Sequence, residues 1–219
     1  MSQLQIKPIT DTWTNATWEE YLQVSNDPAY SKAKVYYYNG RMRIEMAALG
    51  NPHSRDHGIV IHAVCLFGNL NNLDFDIHDN CTYRKTGYTE IQPDISFYFG
   101  DKAEIIPWDA TIISLDDYPP PDLVIEVAYS SLADDKGEKR LLYESIGIRE
   151  YWIIDVQNAQ IIAFVIENQG SRRIKQSQVL SGLEISLLEE ALRRSRQINH
   201  GKVTTWLLSE FQKLNNLDV

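Results

Sequence analysis

The chain has 219 residues, 43% of them hydrophobic and 23% charged, an ordinary globular composition with room for one large domain. Its formal net charge of −9 argues against strong nonspecific binding to nucleic acid, which runs on Lys and Arg displacing counterions. The longest apolar run, about residues 59–70, is broken by His62, Gly68 and Asn69 and cannot span a bilayer, and the first seven residues lack the basic-then-apolar pattern of a secretory signal.

Two cysteines, Cys65 and Cys81, show neither metal-type nor disulfide-framework spacing, so a cytoplasmic protein with reduced thiols is the simplest expectation. Arg172, Arg173, Lys175, Arg193, Arg194, Arg196 and Lys202 concentrate positive charge in the C-terminal third. They read as a solvated surface more readily than as a nucleic-acid patch.

Along the chain, Asp11 to Gln23 reads as a short helix, with Thr17-Trp18-Glu19-Glu20 in the form of a capping box. Lys34 to Met46 reads as a hairpin turning at Asn39-Gly40. Ser54 is placed to cap a helix reaching Leu70, with Ile59, Ala63, Phe67 and Leu70 at helical spacing. Strands are expected over 75–78, 81–85, 95–99 and 123–127, with a long proline-rich connection across 101–121. Asp134 to Ile146 reads as a helix closed by Gly147, followed by strands over 151–156 and 161–166 and helices over 184–196 and 204–214. The sum is a single α/β domain over residues 1–219, with a core of about 34–166 and a helical C-terminal segment of about 184–214.

Two apolar, strand-like runs each contain a carboxylate: Pro93-Asp94-Ile95-Ser96-Phe97, and Pro121 to Val127 with Glu126 near its end. A charge in such a run is costly unless it is paired or bound to a metal. Two such carboxylates converging would suit a hard cation such as Mg²⁺. Alternation puts Asp94, Ser96 and Tyr98 on one face. Asp122 and Glu126 share a face but lie ~13 Å apart along a strand, so one metal cannot take both. Glu126, between Ile125 and Val127, is the better ligand, and Asp122 suits a capping role where the strand begins. Neighbouring strands would bring the Cβ atoms of Asp94 and Glu126 within ~5 Å.

Lys139 shares a helical face with Leu142, Tyr143 and Ile146, so it points inward and needs a negative partner, with Glu126 the nearest in sequence. Lys136 lies nearer the helix start and reads as more exposed. Carboxylates that cap turns or pair with basic residues, and a lysine in a structural salt bridge, are the bland alternative. A carboxylate pair could also serve glycoside hydrolysis, which leaves Lys139 without a task.

Pro93-Asp94-Ile95, Pro121 to Val127, Asp135 with Lys139 and Tyr143, and Gly147 to Asp155 together resemble the Uma-type putative restriction endonucleases of the PD-(D/E)XK nuclease superfamily. The resemblance covers roughly Tyr36 to Phe164. It implies an α/β (α+β) restriction-endonuclease-like fold, a mixed central sheet flanked by helices. It also implies metal-dependent phosphodiester hydrolysis on nucleic acid, DNA foremost, with Mg²⁺ or Mn²⁺ as cofactor. Asp94 and Glu126 would be metal ligands together with the Val127 carbonyl, and Lys139 would be the catalytic lysine.

The superfamily lysine usually stands two residues after the second acid. Here that position is Ala128, and the family pattern carries the lysine on the following helix. His57, within Asn51 to His57, matches a family histidine and reads first as a structural hydrogen-bonder. Glu45 is either an accessory acid or a surface residue, and Tyr143 stands one turn after Lys139. A homodimer would give duplex cleavage one active centre per strand. A catalytically inactive binding or regulatory module on the same fold is the main rival.

Overall fold

In the computed structural model, which describes residues 9–46 and 50–215, the chain opens with a short strand β1 (Thr14–Asn15) and helix α1 (Trp18–Ser25). The first seven residues, expected to carry no signal, lie outside the described residues. Thr17 caps α1: its hydroxyl accepts from Glu20 N at 3.2 Å while the Glu20 carboxylate accepts from Thr17 N at 2.8 Å. The helix therefore begins at Trp18 and not at Asp11, because the box fixes its first turn.

Strands β2 (Lys34–Tyr38) and β3 (Arg41–Glu45) follow, joined at Asn39 and Gly40, which take φ of 49° and 72°. Two left-handed residues are what a two-residue hairpin turn requires. Helix α2 (Asn51–Leu70) begins a turn earlier than Ser54, with Gly50 as its N-cap and Pro52 in the first turn, where the missing N–H has no helical partner to lose. Next come β4 (Phe75–Asp79), β5 (Tyr83–Lys85), β6 (Thr89–Ile91) and β7 (Ile95–Phe99). The 101–121 connection contains β8 (Ile113–Ser114) and leads to β9 (Leu123–Ala128).

The helix expected over 134–146 is two helices, α3 (Leu132–Lys136) and α4 (Glu138–Ile146). Gly137 breaks it with φ −103° and ψ −104°, and a Cβ there would stand 3.1 Å from the Ala133 carbonyl. Gly147 closes α4 at φ 74°, as expected of a C-terminal glycine. Strands β10 (Glu150–Asp155), β11 (Gln160–Glu167) and β12 (Gly170–Ile174) and helices α5 (Ile185–Ser195) and α6 (His200–Asn215) complete the chain.

The chain divides into two compact units. The first comprises Met1–Ala48, Thr82–Gln92 and Thr111–Pro119, and holds a six-stranded mixed sheet in the order β1-β3-β2-β6-β5-β8. Only β5 and β8 run parallel in it. Tyr21, Tyr37, Met42 and Ile44 form its small core with Val35 and Ala16. The Tyr21 phenol is held well above its ordinary pKa, by burial first and then by the charge of Glu90.

The second unit comprises Leu49–Cys81, Pro93–Ala110 and Pro120–Val219. Its sheet runs β12-β11-β10-β9-β7-β4, with β9 and β10 parallel and the other pairs antiparallel. Parallel neighbours need a crossover, and α3 and α4 supply it. Side chains of β9 alternate between faces. Leu123, Ile125 and Val127 join the main core with Ile59 and Phe67 of α2, Leu188 of α5 and Phe211 of α6. Glu126 falls on the opposite face, towards α4. Arg196 closes the core side by donating to both Asp56 Oδ2 and the Val156 carbonyl at 2.8 Å.

Candidate active site

Glu126 sits in β9 with every neighbour along the strand buried, and is itself 2% exposed. A carboxylate so placed must be satisfied locally. The Tyr143 hydroxyl donates to Glu126 Oε1 at 2.6 Å, and Lys139 Nζ lies 3.7 Å from the same oxygen. Lys139 is 1% exposed and reaches a second carboxylate, Asp135 Oδ1, at 3.0 Å. Asp135 in turn accepts from the Ser131 hydroxyl at 2.6 Å, and the Asp135 carbonyl accepts from the Tyr151 hydroxyl at 3.0 Å. The amine is thus fixed between two carboxylates, one from the strand and one from the crossover.

Asp94 stands just ahead of β7. The antiparallel register Ile95↔Ile125 and Ser96↔Val124, continued one residue, sets Asp94 opposite Glu126. Directly opposed residues carry Cβ atoms about 5 Å apart. Asp94 Oδ2 accepts from Val127 N at 2.7 Å, which joins the acid of one strand to the backbone of the other. One residue further, the register sets Val127 opposite Pro93.

The β10 side of β9 is served by even-numbered carbonyls, since Glu150 N donates to Asp122 O and Val156 N to Ala128 O. Backbone alternation therefore turns the Val127 carbonyl towards the β7 side. There Pro93 has no N–H to give it. The Pro-Asp pair thus does two things: the aspartate caps the Val127 amide, and the proline withholds a ladder bond from the Val127 carbonyl.

Sequence reasoning did not single out His53 or Asp79. His53 Nε2 lies 3.5 Å from Asp94 Oδ2. Asp79 Oδ1 lies 3.3 Å from His57 Nε2, which is also 3.3 Å from the Asp94 carbonyl. The two histidine rings stack 6.0 Å apart on consecutive turns of α2. Asp135, already among the residues that carry the family resemblance, stands at i, i+4 spacing to Lys139. His53 and Asp79 gave no local signal, because what they meet, Asp94 and His57, comes from other elements.

Two further candidates are Asp122 and Glu45. Asp122 is at the other end of β9, where Oδ2 accepts from Phe99 N at 3.0 Å and Oδ1 pairs with Lys102 at 2.8 Å and Arg149 at 3.6 Å. It ties down the start of the strand. Glu45 belongs to the first unit, on β3, with Arg43 Nε 3.9 Å away.

Among the described residues no three His, Cys, Asp or Glu side chains are gathered as a cage for a metal ion. A cation at this site would therefore need a backbone ligand beside Asp94 and Glu126, and the Val127 carbonyl is the oxygen the register leaves for it. Two carboxylates and a carbonyl are hard donors of the kind Mg²⁺ takes, with water or phosphate completing its shell. On donor chemistry the residues fit.

No curated protein matches this chain. Among solved structures it is similar to the crystal structure of a putative nuclease belonging to DUF820 from Anabaena variabilis ATCC 29413. The two are 16% identical, with a TM-score of 0.54 over 88% of this chain and 99% of that one. At that identity the likeness establishes the fold alone. Residues 18–213 match the Uma2 family, described as putative restriction endonucleases, and the chain belongs to that family.

Proposed function

We propose that this protein is a metal-dependent endonuclease that hydrolyses phosphodiester bonds of nucleic acid, DNA foremost. The observation behind this reading is the meeting of Lys139 with Glu126, on the sheet face where the continued register sets Asp94 across from Glu126. Asp94, Glu126 and the Val127 carbonyl would hold Mg²⁺ or Mn²⁺, which when bound polarises the scissile phosphate and acidifies a water.

The chain's own groups have separate tasks. Lys139 keeps a fixed positive charge where negative charge develops during attack, and can orient the incoming water. Asp135 and Ser131 hold that amine from behind, so little reorganisation is needed during the reaction. Tyr143 fixes the Glu126 carboxylate through its short hydrogen bond. Val127 N does the same for Asp94, so both acids face the site from locked rotamers.

The test is cleavage of plasmid and of single-stranded oligonucleotides with Mg²⁺, Mn²⁺ or EDTA. Cleavage that requires the cation and disappears in Glu126→Ala and Lys139→Ala supports the reading. The rival, a non-catalytic module of the same fold, draws on the engagement of Asp94 Oδ2 and Glu126 Oε1 by the protein itself. Absence of turnover on every nucleic acid, together with no calorimetric Mg²⁺ or Mn²⁺ binding, would select that rival. On duplex DNA the reading calls for two copies of the chain, which light scattering in the presence of substrate checks.

A further inference from the structure

We propose that the cavity at the carboxyl ends of β9 and β10 is a nucleobase subsite, taking the base of a nucleotide next to the scissile phosphate. This deepens the nuclease reading and rests on it. The cavity has a volume of about 520 Å³ and is lined by Tyr129, Leu132, Lys136, Asp155, Gln157 and Asn158, among others. That is room for a whole nucleotide.

Tyr129 is 53% exposed, a large aromatic ring left in solvent directly after six buried strand residues. A ring so placed offers a stacking surface, and every base has a π-face to meet it. The backbone beneath the ring is fixed, because Gln157 Nε2 donates to the Tyr129 carbonyl at 2.9 Å. The facing turn is fixed too. Asp155 accepts from Gln157 N and Asn158 N, each at 3.1 Å, and from Asn158 Nδ2 at 2.8 Å.

Those bonds use the amide nitrogens of Gln157 and Asn158. Among the described residues neither amide oxygen takes a hydrogen bond from the protein. Both are left to accept from a base amino group. Asp155 is already met by three donors, so its oxygens are engaged within the turn. Lys136 is exposed and, among the described residues, pairs with no carboxylate. It is the cation a backbone phosphate would meet.

Position gives the cavity its tenant. Tyr129 is two residues beyond Val127, about 7 Å along the strand direction. Lys136 directly follows Asp135, the partner of Lys139. The ring and the free amine thus flank the proposed cleavage centre at about one nucleotide's reach. A peptide or sugar could also lie on an aromatic, but neither supplies the phosphate that would pair with Lys136 at that spacing.

The experiment measures binding of a fluorescent oligonucleotide by anisotropy in EDTA, with an abasic site moved along the strand, and cleavage separately in Mg²⁺. Tyr129→Ala should weaken binding roughly 5- to 100-fold, Tyr129→Phe should not, and Lys136→Ala should lower both affinity and its salt dependence. One abasic position should weaken wild type while leaving Tyr129→Ala unchanged. Equal binding by wild type and Tyr129→Ala overturns the subsite, and leaves the nuclease reading intact if cleavage still needs Lys139. Ring-dependent binding without cleavage of any nucleic acid keeps the base-binding cavity but overturns the nuclease reading, and with it the place beside a scissile phosphate. No binding of any oligonucleotide overturns the subsite outright.

Discussion

Tyr143 donates its phenolic hydrogen to Glu126 Oε1 at 2.6 Å, across the gap between α4 and β9, and both groups are wholly buried. Removing the hydroxyl leaves the carboxylate with one donor fewer in a place water does not reach. Tyr143→Phe should destabilise the protein by about 1–3 kcal/mol, read as a lower urea midpoint with an unchanged slope. It should also loosen the Glu126 rotamer, so titration calorimetry should show weaker Mg²⁺ or Mn²⁺ binding. An unchanged midpoint would mean that the hydroxyl contributes nothing.

Lys139 stands between two buried carboxylates, Glu126 and Asp135, and taking it away removes the cation they share. Lys139→Met should cost about 3–5 kcal/mol, the range seen when one partner of a buried ion pair is deleted. Adding Asp135→Asn to Lys139→Met should restore part of that loss, because one of the two buried negative charges goes with it. Chemical denaturation of the two variants beside wild type decides this. A double variant less stable than the single one would place the coupling elsewhere.

Pro93 faces Val127 by register. Pro93→Ala introduces an N–H that can reach the Val127 carbonyl and complete the ladder. The fold should tolerate this, with a thermal midpoint equal to or above that of wild type. Divalent-cation affinity and any cleavage should fall together, since the carbonyl would then be engaged. Unchanged affinity would remove Val127 from the ligand set.

In the first unit, burial raises the Tyr21 pKa above its ordinary value of 10.0, so the folded protein keeps a proton that the unfolded chain gives up. Between the unfolded and folded values the native state binds more protons, and stability falls as pH rises. The contribution is complete below pH 10 and is lost above it. Tyr21→Phe removes the titrating group, so the decline of the denaturation midpoint above pH 10 should be shallower in the variant than in wild type.

The sequence announced the long elements well. The hairpin at Asn39-Gly40, α2, the strand carrying Glu126 and the two C-terminal helices all have strong periodicity or turn residues. It announced the short ones poorly: β6, β8 and β12 are short or polar strands completed by pairing with distant partners, a relation no local window contains. Asp94 and Glu126 stood out because charge in an apolar run is conspicuous, and Lys139 because it shares a helical face with Leu142, Tyr143 and Ile146. His53 and Asp79 did not, because their significance depends on α2 crossing the sheet beside Asp94. The break at Gly137 was legible in principle, but the flanking charges continued a helical pattern through it.

That break bears on how the amine is delivered. The strand gives the position two after Glu126 to a small alanine, and the amine arrives instead from a separate short helix behind a glycine joint. An ammonium tethered in this way is indifferent to the spelling of the strand and bound only to a point in space. If Lys139 serves the proposed chemistry, its delivery is set by where that short helix points and not by which letter stands two places after Glu126.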